Sequence, residues 1–325
     1  MRTEANRRKI NRLYILGAGA SYALTQGQTE SLVAPLDIQF CQRIKDLQQR
    51  TRPKWVAAAA RRVEKEYLHH VDFQITGLEE LIRQQISDYE FIAAIHPRRT
   101  RGKRTKEEYL NDLNHLAAYL LSRARARDQS LLEKWLEKYL KGTEKRATRN
   151  RIITFNYDTL IDNVLLNWHS PQHVYFDNIW SSSTKSPTRL ADRYPLLLKL
   201  HGSINWRCSE EEYAKLFNSA VTTDESKTTT YNTKDCHYID KMWINNRVCT
   251  PEEQETPLII PPLPQKPITS IAIFRYLWTY AYEYLYEARN IVIAGYSLPP
   301  EPPRVSRRLQ LLREWSHEQV KQVFT

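Results

Sequence analysis

Residues 13–21 read Leu13-Tyr14-Ile15-Leu16-Gly17-Ala18-Gly19-Ala20-Ser21. Four apolar residues running without a break into a glycine-rich turn describe a short buried strand that hands over to a helix. Glycine lets the backbone approach a pyrophosphate, and the N-terminus of the following helix favours negative charge, so the turn is a phosphate-loop candidate. Tyr22 stands where the third glycine of the dinucleotide fingerprint belongs, and no second strand follows at the distance where an acidic residue would take the adenosine ribose. An ordinary dehydrogenase is thereby disfavoured, and a tight turn without a ligand stays open as the alternative.

Outward from this stretch, no strand pattern recurs for more than a hundred residues. Segments 36–47, 55–71, 78–95, 109–127 and 131–140 place apolar residues at spacings of three and four, with breaks at Pro53, Gly77, Pro97 and Gly142. The signal then changes. Arg151-Ile152-Ile153-Thr154-Phe155-Asn156-Tyr157 is β-branched and short, 160–168 resumes a helix, and 196–200 is another apolar run ending at His201-Gly202-Ser203. Residues 258–260 and 290–294 are further strand candidates, with a tyrosine-rich helix over 271–288 between them and a last helix from about Val305. Strands each followed by a polar or glycine turn and a helix predict an α/β fold with a Rossmann-like parallel sheet. The helical block is too long for a crossover, so the expected organisation is a first strand and phosphate loop in 1–36, a helical insertion in 37–150, and the remainder of the core in 151–325.

Composition narrows the class. The 325 residues include only 8 glycines, against about 23 at average usage, which excludes collagen, glycine-rich linkers and most glycine-turn β-architectures. The net charge of +11 is concentrated in runs such as Arg98, Arg99, Arg101, Lys103, Arg104 and Lys106, and in Arg7, Arg8 and Lys9. Such runs fit a solvated loop or an anionic partner. No apolar stretch approaches a membrane span, and the run 13–24, although of signal-peptide length, is read as strand and loop. Cys41, Cys208, Cys236 and Cys249 form no CxxC pair, so neither a disulfide framework nor a zinc ribbon is expected, and a reducing cytoplasm fits best.

The chemistry-bearing types gather at predicted strand ends. Thr154, Asn156 and Asp158 alternate at the end of the second strand, at the carboxyl edge where open α/β sheets bind ligands. Asp158 also suits a cap for the helix that begins near Thr159. His201 falls at another strand's carboxyl end beside a glycine, where it is a candidate base or a satisfied structural residue.

Gly-Ala-Gly-Ala-Ser at 17–21, Thr-Phe-Asn-Tyr-Asp at 154–158, Lys-Leu-His-Gly-Ser at 199–203 and Gly-Tyr-Ser-Leu at 295–298 resemble, in order, the four NAD-contacting motifs of the sirtuin-like superfamily. The spelling is most similar to the sirtuin-like NAD hydrolase domains of bacterial antiviral defence systems. The resemblance covers about half the chain and implies a function: hydrolysis of NAD to nicotinamide and ADP-ribose by an effector that depletes NAD. It implies that Gly17, Ala18, Gly19 and Ser21 line the phosphates and nearby ribose, that Asn156 and Asp158 face the nicotinamide ribose and carboxamide, and that Thr154 is part of the NAD site. His201 and Asn156 would be catalytic, Gly202 and Ser203 would join the NAD site, and Gly295 and Ser297 would hold the adenosine side. On this reading, four of the eight glycines are kept where backbone approaches a ligand.

The departures point away from deacylation. Phe155 stands where deacylating sirtuins carry glutamine, and their zinc module of two CxxC pairs is missing, so no metal is expected. Pro299, Pro300, Pro302 and Pro303 replace the polar residues usual after the last motif. An NAD-depleting activity has to be silent at rest. The expected partners are therefore copies of the chain in an oligomer and a regulatory protein or phage-derived trigger, with nucleic acid entering indirectly and no membrane. The alternative is an inactive or regulatory scaffold that binds NAD or nucleic acid.

Overall fold

A computed structural model describes residues 10–48, 53–65, 106–141, 150–175, 195–211, 213, 243–244, 250–260 and 272–295. The first strand, β1 (Ile10–Leu16), runs into helix α1 (Ala18–Thr25) through Gly17 alone. Its last four residues are buried, as a strand covered on both faces requires. Helices α2 (Phe40–Leu47), α3 (Lys54–Val63), α4 (Lys106–Ser122) and α5 (Gln129–Leu136) follow. Their buried residues recur at helical spacing: Val56, Ala59, Ala60 and Val63 on α3 meet Leu110, Leu113, Leu116 and Ala117 on α4 in one core. A two-pronged ion pair from Arg62 to Asp112, at 3.0 and 2.8 Å, ties α3 to α4. The predicted helix over 78–95, the basic run 98–105, the N-terminal arm and the last helix lie outside the described residues.

The chain then returns to the sheet as β2 (Arg151–Thr154), crosses by α6 (Leu160–Trp168) and α7 (Pro171–Val174), and enters β3 (Leu197–Lys199). After β4 (Gly202–Ser209), β5 (Trp243–Ile244) and β6 (Glu255–Ile259), helix α8 (Ala272–Glu287) leads directly into β7 (Ala288–Ala294). Strands β3, β2, β1 and β7 lie side by side in that order, all parallel. This is the Rossmann-like α/β core expected from the apolar runs. The register sets Leu16 opposite both Thr154 and Ala294, and Thr154 opposite Lys199. The last residues of all four strands therefore form one row, and the segments that follow them emerge at a single carboxyl edge.

One expected strand belongs elsewhere. The run ending at Ile260 pairs antiparallel with β4, which also pairs antiparallel with β5, in a separate three-stranded sheet. The chain leaving β3 turns at Leu200-His201 and continues at once as β4, so no helix follows that glycine turn. The reason is local: Gly202 holds φ +83°, and a Cβ there would lie 2.1 Å from the Leu258 carbonyl oxygen, so only glycine allows β4 to meet β6. Residue His115 joins α4 to this sheet, its two ring nitrogens lying 2.8 and 3.0 Å from the carbonyls of Asn111 and Glu255.

Candidate functional site

The carboxyl edge of the parallel sheet links residues of all four motifs through hydrogen bonds. Ser21, buried on the first turn of α1, donates through Oγ to Asp158 Oδ2 at 2.6 Å. The Asn156 side-chain amide donates to the Gly17 carbonyl and to Ser21 Oγ, both at 2.8 Å. A carbonyl only accepts, so the NH2 group must face Gly17 and Oδ1 is turned away from the loop. Asp158 Oδ1 accepts from the Leu160 amide at 3.1 Å while Oδ2 serves Ser21; the N-cap of α6 is Thr159, not Asp158 as expected, and Asp158 closes a turn one residue ahead of it. Thr154 is buried, with its hydroxyl donating to Leu16 O at 3.2 Å and accepting from the Asn156 amide at 3.1 Å; it shapes the turn that presents Asn156.

Half-buried His201 stands on the neighbouring turn in an aromatic surround. Its ring centroid is 5.2 Å from Phe155 at 65°, 6.2 Å from Tyr157 and 6.4 Å from Trp278 on α8. The Trp278 indole N–H donates to Leu200 O at 3.2 Å, and the His201 carbonyl accepts from Ile260 at 2.8 Å, so backbone bonds hold both sides of this group. Aromatic faces favour a planar or cationic guest. Nothing in sequence singled out Trp278, one of many aromatic residues on a tyrosine-rich helix.

The phosphate-loop glycines have a reason other than a ligand. The Gly17 amide donates to Ala294 O at 3.0 Å, Gly19 to Gly295 O at 2.8 Å, and Ala20 to Gly17 O at 2.9 Å. Gly295 has φ +62°, and a Cβ on it would sit 1.8 Å from the Ala20 nitrogen. At 19, 202 and 295 the close approach that glycine permits is also between two parts of the chain, a reason for these glycines beside the expected approach to a ligand. Ala18 at the start of α1 is exposed and the first turn of the helix carries no acidic side chain, a combination that favours negative charge at a helix N-terminus. Ser203 is fully buried and its hydroxyl faces Tyr157 O at 3.4 Å, so it braces the turn rather than lining the cleft. Ser297, Cys236 and Cys249 lie outside the described residues. Among those described, no group of three or more His, Cys, Asp or Glu is placed to hold a metal ion. Burial pushes the Cys41 thiol up to about 12, making it inert near neutral pH.

Behind the cluster lies a buried polar chain whose members sit far apart in sequence. Lys199 donates to the Asp158 carbonyl and, at 3.0 Å, to Asp162 Oδ2. Tyr175 donates to Asp162 Oδ1 and accepts from Asn205 at 3.2 Å. Burial raises the Asp162 carboxyl above its ordinary value, with the Lys199 charge opposing, and it raises the Tyr175 phenol strongly, aided by the nearby Asp162 charge. A lone lysine inside Leu196-Leu197-Leu198-Lys199-Leu200 was the available signal, since a lysine there needs a buried partner.

No helix among the described residues is long and apolar enough to cross a membrane. A search of curated proteins gave no significant match. Residues 150–301 match the family model of the SIR2-like domain. That match spans just under half the chain and holds β2, β3 and β7, while β1 and its loop complete the same sheet from outside it. Residues 150–301 are thus similar to the SIR2-like domain, of an NAD-dependent enzyme family, and the matched stretch includes Asn156, Asp158 and His201 of this edge, while Ser21 lies outside it.

Proposed function

We propose that the protein is an NAD glycohydrolase. The observation that carries this reading is the Gly17–Ser21–Asn156–Asp158 hydrogen-bonded cluster at the sheet edge, with His201 on the adjoining turn. Cleavage breaks the bond between the ribose C1′ and the nicotinamide nitrogen. The bonding pair leaves with nicotinamide, which departs neutral and needs no general acid. Water then adds its oxygen to the ribosyl cation and releases a proton. Asn156, held through its NH2 group, orients the ribose hydroxyls and water through Oδ1, and His201 polarises the water or a ribose hydroxyl. The aromatic surround of His201 suits both the pyridinium ring and the cation.

The wider role rests on the resemblance of the four motifs: an NAD-depleting effector of antiphage defence, acting in the cytoplasm. Its control lies in oligomerisation, a regulatory protein or a phage-derived trigger, with the helical stretch 37–150 as the regulatory surface. Equal NAD turnover by the isolated protein and in lysate of infected cells counts against that control. The deciding experiment is formation of nicotinamide and ADP-ribose from NAD by the purified protein. Asn156→Ala and His201→Ala are each expected to lose about 10²-fold or more; wild-type rates in both variants overturn the assignment.

A second reading, a scaffold that binds NAD or nucleic acid without turnover, is favoured by the Gly17 and Gly19 amides being spent on the chain itself. Salt-dependent DNA binding with no nicotinamide release would select it.

A further inference from the structure

We infer that Lys199 is a positioning residue that holds the Asn156–Asp158 turn in working geometry from beneath the sheet edge. Its ammonium is fully buried, as is the Asp162 carboxylate that faces it at 3.0 Å, with side-chain exposures of 0% and 3%. An ion pair so deep is a poor source of stability, because desolvating both charges offsets their attraction, and neutral replacements of similar volume are often equally stable. What the ammonium does that a neutral side chain cannot is donate twice, once to Asp162 on α6 and once to the main-chain carbonyl of Asp158. That carbonyl belongs to the residue whose carboxylate takes the Ser21 hydroxyl, and Ser21 in turn accepts from Asn156. Lys199 is also two residues before His201. One buried group therefore ties the carboxyl end of β3 to the turn after β2 and to the first turns of α6.

The anchor is itself braced. Tyr175 and Asn205 extend the chain from Asp162 to β4, so the carboxylate cannot swing away from the ammonium. Loss of the ammonium leaves Asp162, already held up by burial, to take a proton, and leaves the Asp158 carbonyl without its donor.

Only the catalytic readout of this role rests on the proposed NAD chemistry, so the test has two arms. Lys199→Met and the neutral pair Lys199→Met/Asp162→Asn, in which the amide still accepts from Tyr175, are compared with wild type. In the first arm kcat for nicotinamide release falls about 10²-fold in both variants while KM stays within about threefold. In the second arm, hydrogen exchange of the amides of Phe155, Asn156 and Leu160 rises about tenfold in both variants, including the neutral pair, whose thermal midpoint stays near wild type. A neutral pair that keeps kcat within about twofold of wild type, or that leaves exchange over 155–160 unchanged, overturns the inference. If wild type releases no nicotinamide either in isolation or in lysate of infected cells, the NAD reading fails and the exchange arm alone decides the role of Lys199.

Discussion

Ser21 Oγ lies 2.6 Å from Asp158 Oδ2, a contact between residues 137 apart in the chain that joins the phosphate loop to the turn after β2. The same oxygen accepts from Asn156 at 2.8 Å, so one hydroxyl satisfies a carboxylate and orients an amide. Ser21→Ala removes both bonds and leaves a buried carboxylate with, among the described residues, the Leu160 amide as its donor. The expected cost is about 1–3 kcal/mol in urea unfolding, together with a loss of NAD turnover.

Asn156→Asp keeps the shape and inverts the chemistry. The new oxygens would face the Gly17 carbonyl and compete with Asp158 for the single Ser21 proton. At pH 7 this variant is expected to be less stable than Asn156→Ala by about 1 kcal/mol or more. Equal denaturation midpoints for the two would contradict an Asn156 amide whose NH2 group faces the Gly17 carbonyl.

Glycine substitutions separate backbone approach from mere conformation. Gly202→Ala puts a methyl 2.1 Å from the Leu258 oxygen at φ +83°, and should cost more than about 3 kcal/mol or abolish soluble expression. Gly27 has a similar φ of +89°, but the nearest atoms its added methyl would meet belong to the flexible Arg127 side chain, from 3.1 Å outward. Gly27→Ala should therefore cost about 1–2 kcal/mol, read as a shift in thermal midpoint.

The N-cap of α5 predicts a pH dependence. Asp128 accepts from the Leu131 amide at 2.9 Å, and that bond, with the Ser130 hydroxyl, holds its carboxyl below the ordinary 3.8. A depressed carboxyl stabilises the fold above its unfolded value and loses that contribution as pH falls through its folded value. Wild type should be more stable than Asp128→Ala at pH 7, and the gap should close in acid, as pH falls through the lowered value of the folded carboxyl. A gap that persists in acid would show that the cap does not depend on the charge.

Much of the parallel sheet was legible because its strands read as short apolar runs, Leu13–Leu16, Ile152–Ile153, Leu196–Leu198 and Ile291–Ile293, of which the first three are buried and the last half-buried. Strand β4 was not. Its sequence, Gly-Ser-Ile-Asn-Trp-Arg-Cys-Ser, carries Asn205 and Arg207, which suggest solvent. Both are buried, because Tyr175 accepts from Asn205 and because Glu253 and Glu255 take the Arg207 guanidinium at 3.3 and 2.8 Å. A polar residue with a distant partner looks exposed until that partner is known. The same holds for Lys199 and Asp162, whose pairing crosses from β3 to α6.

By itself the sequence determined that short buried strands alternate with helices and that Gly17–Ser21, Asn156, Asp158 and His201 follow strand ends, because apolar runs and helical periods are local properties. Only the tertiary structure decided that Leu16, Thr154, Lys199 and Ala294 share one row, and that the glycines at 19, 202 and 295 make room for other parts of the chain. It also decided that Ser21 is the hinge of the polar cluster. Each of these is a pairing set by sheet register and backbone approach between segments far apart in sequence, and no local periodicity carries that information.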